Sequence, residues 1–160
     1  VSVDLKRVIL KNAQTVLEAV PSFNSAEGVM TKKKIAVEEE ENGKVKKRRK
    51  TAYSFEILGC PFECEEAKAL RVVSGGGSRI YGKPLTFTFS PYQIKPAGEG
   101  IEAVVERILD YGAERFAKCK AGENVLYVCV GEDFVGERVK LAVDTESVVV
   151  TEVERGIRLA

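Results

Sequence analysis

Histidine is absent from the 160-residue sequence. Its imidazole is the side chain most often used for proton transfer near neutral pH, and it is the commonest metal ligand. The absence excludes Ser-His-Asp and Cys-His nucleophile systems, and zinc sites that use histidine, within this chain. Proton transfer would have to rely on carboxylates, lysine, tyrosine or cysteine. The sequence therefore favours a protein that is not an enzyme, and we expect it to hold no cofactor and no metal.

Long apolar runs are also missing. No stretch approaches the ~20 apolar residues of a membrane span, and Asp4, Lys6 and Arg7 interrupt any signal-peptide core near the start. We therefore expect a cytoplasmic protein without membrane contact. Glutamine occurs twice and methionine only at Met30, whereas 31% of the residues are charged. Few thermolabile residues and many ions are typical of thermophile proteins.

The apolar residues, 44% of the chain, suffice for one hydrophobic core, so we predict a single domain over residues 1–160. Apolar spacing predicts helices over 4–20, 61–73 and 99–118. Strands are predicted over 84–90, 124–130, 137–143 and 147–153, with a short edge strand at 156–160 and with 124–130 central in the sheet. Together with a hairpin, this gives the order α-β-β-α-β-α-β-β-β. The predicted class is α+β, a mostly antiparallel sheet with two or three helices packed on it.

Residues 28–58 have the clearest local pattern, that of a long β-hairpin. Asn42-Gly43 is a preferred pair for a two-residue turn, because both central residues need positive φ. The resulting register pairs Met30 with Phe55, Lys32 with Tyr53, Val37 with Arg48, Glu39 with Lys46 and Glu41 with Lys44. Residues 32–53 are predicted to project as an arm of roughly 30 Å. At its base, Tyr53, Phe55 and Ile57 share one face and should join the core.

The hairpin arm is strongly basic. Between Lys32 and Lys50 lie nine basic and four acidic residues, so this segment carries +5 and the remainder of the chain carries −4. Cross-strand pairs near the turn neutralise part of this charge. Two basic triplets, however, face no acid across the strands: Lys32, Lys33, Lys34 and Arg48, Arg49, Lys50. These six residues are the predicted contact site for an anionic partner, either nucleic acid or an acidic protein surface.

Cys60 and Cys64 are candidate redox thiols, because the prediction places them at a helix start, where thiol pKa values fall. Glu63, Glu65 and Glu66 oppose thiolate formation in the same turn, so buried apolar roles are favoured. The spacing of Cys119 and Cys129 relative to this pair does not match that of a metal site. The Gly75–Gly77 run looks like a phosphate loop, but it ends a predicted helix instead of opening one. Four residues around it form a second possible ligand loop: Ser74, Ser78, Arg79 and Tyr81.

These patterns favour a non-enzymatic binding module that uses its basic ribbon to hold an anionic partner, with a second copy of the chain among the candidates. We expect a homo-oligomer, since pairing would bring the +5 and −4 regions together. Only Tyr53 supplies an aromatic ring near the triplets, which disfavours stacking on single strands. The alternative is a small-molecule-binding protein or enzyme with a pocket between the sheet and the 99–118 helix. Thiol redox chemistry is a weaker alternative.

Overall fold

A computed structural model describes residues 18–160. These residues form two antiparallel sheets of six and five strands and one helix, with 57% of the described residues in strands and 8% in the helix. The elements in chain order are β1 (Asn24–Glu41), β2 (Lys44–Ile57), β3 (Cys60–Cys64), α1 (Glu66–Gly76), β4 (Leu85–Phe89), β5 (Ile94–Ala97), β6 (Ile101–Asp110), β7 (Arg115–Ala121), β8 (Asn124–Val130), β9 (Arg138–Val143), β10 (Val149–Glu152) and β11 (Ile157–Arg158). The predicted α+β class is therefore wrong, and the fold is mostly β.

The core joins the two sheets. The six-stranded sheet has the order β11-β10-β4-β1-β2-β3, and the five-stranded sheet has the order β5-β9-β6-β7-β8. One cluster of buried residues includes Phe55 and Phe87 from the first sheet and Leu126 and Leu141 from the second. The sheets are also joined by the Asn24 side chain, which donates to the Tyr127 carbonyl at 2.9 Å and accepts from its amide at 2.8 Å.

The predicted 99–118 helix is instead the β6–β7 hairpin. A β-bulge between Val105 and Arg107 explains the error. In a regular strand the inward residues alternate, but a bulge inserts one extra residue and converts a spacing of two into three. Ile101, Val105 and Ile108 therefore have the i, i+4, i+7 spacing of a helix while lying in a bulged strand. The turn that follows is fixed by Gly112, whose amide donates to the Asp110 carboxylate at 2.8 Å.

The other helices also need correction. Residues 61–64 belong to β3, and α1 extends to Gly76, three residues beyond the predicted end. Gly77 then ends the helix with a positive φ of 80°, a conformation that glycine adopts without strain. The predicted 4–20 helix lies outside the described residues except for positions 18–20, which form neither helix nor strand. Within residues 18–160, no helix has the length and apolarity needed to cross a membrane.

Most predicted strands are present in the fold. The segments predicted as 84–90, 137–143, 147–153 and 156–160 contain β4, β9, β10 and the edge strand β11. The 124–130 segment is a strand, β8, but it lies at the edge of the five-stranded sheet and not at its centre. A run of apolar residues is thus compatible with an edge position here, since Leu126 and Val128 point to the core while Val125 is exposed.

The predicted turn and register of the long hairpin are confirmed. Its register matches the prediction at every pair, from Met30 opposite Phe55 to Glu41 opposite Lys44. Asn42 and Gly43 have φ values of 54° and 76°, as the two-residue turn requires. Phe55 and Ile57 are buried, and Tyr53 packs against the core.

Candidate functional site

The distal part of the hairpin is an exposed, charged ribbon. We call residues 32–53 the ribbon. Every residue from Glu38 to Lys50 is exposed, and of the earlier ribbon positions only Ile35 and Val37 are half-buried. Ten residues of β1 lie between Lys32 and Glu41, which at ~3.3 Å each gives a length of about 30 Å.

The strand register divides the six predicted contact residues between the two faces of the ribbon. Side chains of an antiparallel pair point to the same face when the residues lie directly opposite, and neighbours along a strand point to opposite faces. Lys32 lies opposite Tyr53, Lys34 opposite Thr51, and Ala36 opposite Arg49. These residues share what we call the tyrosine face. The opposite face, which we call the paired face, carries Lys33, Arg48 and Lys50. The triplets therefore form two surfaces and not one.

Arg48 does not lack an acid partner, contrary to the sequence-based prediction. Its guanidinium lies 3.1 Å from the Glu39 carboxylate, although Lys46 is the residue directly opposite Glu39. Lys46 in turn lies 3.5 Å from Glu41. Both pairs are diagonal on the paired face, and the reach of long side chains to diagonal neighbours is what the simple register argument omitted. On the paired face, two of the five cations are thus neutralised locally.

The tyrosine face carries four cations and two glutamates. Within residues 18–160, Lys32, Lys34 and Arg49 take part in no ion pair. All three side chains are exposed. Lys47 shares this face, opposite Glu38 and farther along the ribbon. A row of cations without carboxylate partners therefore lies along one side of the ribbon base.

Two tyrosines, Tyr53 and Tyr81, border this row of cations. The position of Tyr81 beside it was not predicted from the sequence. The Lys32 ammonium lies 4.5 Å from the centre of the Tyr81 ring, a cation–π contact. The loop that carries Tyr81 is held against β1 by the Gly82 amide, which donates to the Met30 carbonyl at 3.1 Å. Burial, and next the nearby Tyr53, raise the pKa of Tyr81. The inference from sequence that Tyr53 is the only aromatic ring near the basic triplets is therefore wrong.

The other members of the possible ligand loop do not take part in this arrangement. Ser74 is exposed in the last turn of α1, and Ser78 and Arg79 are exposed in the loop that follows. Of the four residues, only Tyr81 contacts the ribbon. The helix ends toward this loop, so its dipole disfavours a phosphate there, as predicted from the sequence order.

The four cysteines are free thiols, and Cys60 and Cys64 lie in a strand and not in the first turn of a helix. Cys60 and Cys64 are the two ends of β3. Four steps along a strand cover about 13 Å, far beyond the ~4.4–6.8 Å between the Cα atoms of a disulfide. Burial raises the pKa of Cys64 to about 11, with Glu146 and Glu63 adding to the effect. Burial, together with Glu102 and Glu99, also raises the pKa of Cys60. This environment opposes thiol redox chemistry.

The Cys64 environment predicts slow thiol labelling. With a pKa of about 11, only about one thiol in a thousand is ionised at pH 8, whereas a free cysteine with a pKa of ~8.5 is ionised to about a quarter. We expect a disulfide reagent to label Cys64 of the folded protein at least 100-fold more slowly than it labels the unfolded chain. The rate should rise as pH increases toward 11. Labelling of folded and unfolded chains at equal rates would contradict the structure.

The pocket predicted between a sheet and the 99–118 helix has no counterpart in that form, because the segment is β6 and β7. An open cleft of about 520 Å³ lies instead beside the ribbon base. Four glutamates line it, Glu63, Glu65, Glu66 and Glu146, opposite Lys50. In the described part of the chain, no three cysteine or acidic side chains are grouped so that they could hold a metal ion.

Comparisons with known proteins add no functional assignment. No protein-family model matches the chain. No curated protein matches it significantly either. The geometry of the ribbon and of the surfaces around it is therefore the basis for a functional proposal.

Proposed function

We propose that this protein is a non-enzymatic binding module that holds single-stranded nucleic acid on the tyrosine face of its ribbon. One observation supports the proposal above all others. Lys32, Lys34 and Arg49 are exposed and have no ion-pair partner in the described residues, and the half-buried Tyr53 and Tyr81 lie beside them. Proteins that hold single strands combine these two elements, a basic groove for phosphates and aromatic rings for bases.

Charge distribution favours the ribbon over the rest of the molecule as the contact surface. The segment from Lys32 to Lys50 carries +5, and the remaining chain carries −4. A polyanion is therefore attracted to the ribbon and repelled from the body, which orients the encounter. On the paired face, binding would compete with the Arg48–Glu39 and Lys46–Glu41 ion pairs. The tyrosine face has no such competition at Lys34 and Arg49.

The direct test is a titration of the protein with a labelled 20-nucleotide single strand at several salt concentrations. Three phosphate contacts would give a slope of log K against log salt of about −2, because each contact contributes ~0.7 on a single strand. A heparin fragment of matched charge, which has no bases to stack, should bind more weakly. Absence of binding in low salt, or equal affinity for both polymers, would contradict the proposal.

Tyr81 provides a test of base stacking that is separate from charge. We expect Tyr81→Ala to weaken single-strand binding by about 5- to 150-fold, since stacking on an aromatic side chain contributes ~1–3 kcal/mol per base. Tyr81→Phe keeps the ring and should bind nearly as well as the original protein. Tyr92→Ala, which removes an exposed tyrosine from the start of the loop after β4, is the control and should leave binding unchanged. Equal binding by Tyr81→Ala and the original protein would refute the role of stacking.

A second copy of the chain is the competing partner, and the same protein tests it. The glutamate-lined cleft beside the ribbon base could receive the basic ribbon of another molecule, which would give the homo-oligomer expected from the charge split. Light scattering at low and moderate salt measures this directly. A dimer that dissociates with salt and binds no oligonucleotide would identify the second copy as the partner and would refute nucleic-acid binding.

A further inference from the structure

A second cationic site lies where α1 meets β11. Its central residue is Lys68, which is only 5% exposed. The Lys68 ammonium donates one hydrogen bond, at 2.6 Å, to the Val148 carbonyl. It has no carboxylate partner in the described part of the chain. Buried ammonium groups are normally paired, because leaving a charge in a poorly hydrated place is unfavourable.

Two arginines increase the positive charge around Lys68. Arg71, one turn farther along α1, and Arg158 in β11 line the same cavity of about 540 Å³ as Lys68. Both arginines are exposed, and neither forms an ion pair within residues 18–160. Burial, then Arg71 and Arg158, lower the pKa of Lys68, while Glu146 and Asp144 oppose this effect. The three cations therefore destabilise one another.

We propose that this cavity binds a phosphate group, either free or as a small phosphate monoester. Its lining residues bring three positive charges and one negative charge, that of Glu146. The excess of two matches a phosphate dianion. Two guanidinium groups provide forked donors for phosphate oxygens, and the buried ammonium provides a point charge at the base of the cavity. The rest of the lining is Val148, Leu159, Ala160 and Ser147, whose hydroxyl donates to the Asp144 carboxylate at 2.7 Å.

A purely structural role for Lys68 explains less of this arrangement. The bond from Lys68 to the Val148 carbonyl ties α1 to the segment before β10, and the Lys68 side chain is buried. That role needs no arginine. It would be better served without Arg71 and Arg158, whose charges oppose the Lys68 ammonium. An anion bound among the three cations would remove this repulsion.

The test is an NMR titration of the ¹⁵N-labelled protein with inorganic phosphate, phenyl phosphate and acetate. We expect saturable shifts of the Ser147, Val148 and Leu159 amides with both phosphates below about 10 mM, and at least 10-fold weaker binding of acetate. Tighter binding of phenyl phosphate would identify a monoester as the ligand class, whereas equal affinity would identify the free ion. No saturable shift at these amides up to about 50 mM, or equal binding of acetate, would overturn the proposal.

Matched variants separate this site from general attraction to cations. Arg71→Ala with Arg158→Ala changes exposed side chains and should fold normally, but should weaken phosphate binding at least 30-fold. Arg138→Ala with Lys140→Ala removes the same charge from exposed positions of β9 and should leave these shifts unchanged. Lys68→Met keeps the stem, removes the ammonium and should also abolish the shifts. Unaltered binding by the Arg71/Arg158 variant would refute the site, whatever the ribbon does.

Discussion

Reversal of Lys34 and Arg49 to glutamate should reduce single-strand affinity at least 100-fold in low salt. The double variant loses two phosphate contacts and places two carboxylates where phosphates would lie. The slope of log K against log salt should therefore become shallower by about 1.4, because each of the two lost contacts contributes ~0.7. Both side chains are exposed and have no ion pair in the described residues. The free energy of unfolding should change by less than ~0.5 kcal/mol.

Lys33→Glu with Lys50→Glu is the matched control for this experiment. It makes the same change of charge, on the same two strands and one residue away, but on the paired face. General attraction to the ribbon predicts equal losses for the two double variants. The proposed tyrosine face predicts that the control keeps affinity within about fivefold of the original protein, since only long-range attraction is reduced. An equal or greater loss in the control would contradict the assignment of the face.

Phe55→Ala should have the largest effect on stability among the ribbon-base variants. Phe55 is fully buried, and its ring centre lies 5.1 Å from that of Phe87. Truncation of a buried phenylalanine costs ~3–5 kcal/mol, and this loss should lower the urea midpoint with little change in slope. Phe23→Ala makes the same substitution at a position that is 63% exposed and should cost less than ~0.5 kcal/mol. Similar midpoints for the two variants would mean that β2 is not anchored in the core.

Local sequence signals predicted the structure correctly where residues close together in the sequence determine the geometry. The Asn42-Gly43 turn fixes the register of β1 and β2, and alternation along β2 then places Phe55 and Ile57 in the core. The prediction of the fold class was wrong for a different reason. A bulge between Val105 and Arg107 gives β6 the apolar spacing of a helix, and such an irregularity depends on pairing with β7 and β9, which is not visible in a local window.

The charged residues of the candidate site were predictable from the sequence, but the way their side chains are grouped on the two faces was not. The basic triplets were evident, but the alternation of side chains divides each triplet between two faces, and the diagonal contact to Glu39 neutralises Arg48. Tyr81 lies 49 positions along the chain from Lys32, and only the loop contact to Met30 brings its ring to the ribbon. Lys68 and Arg158 likewise meet through tertiary packing. No motif in the sequence connects either pair.

Lysine footprinting with and without oligonucleotide tests the central claim most directly, because it reports on side chains of the unmodified sequence. The free protein and its mixture with the oligonucleotide are each treated briefly with an acylating reagent, and modification at each lysine is measured by mass spectrometry. The account predicts strong protection of Lys32 and Lys34 on the tyrosine face, while Lys33 and Lys50 on the paired face stay reactive. Protection of Lys33 and Lys50 to the same extent, or no protection of Lys34, would contradict it.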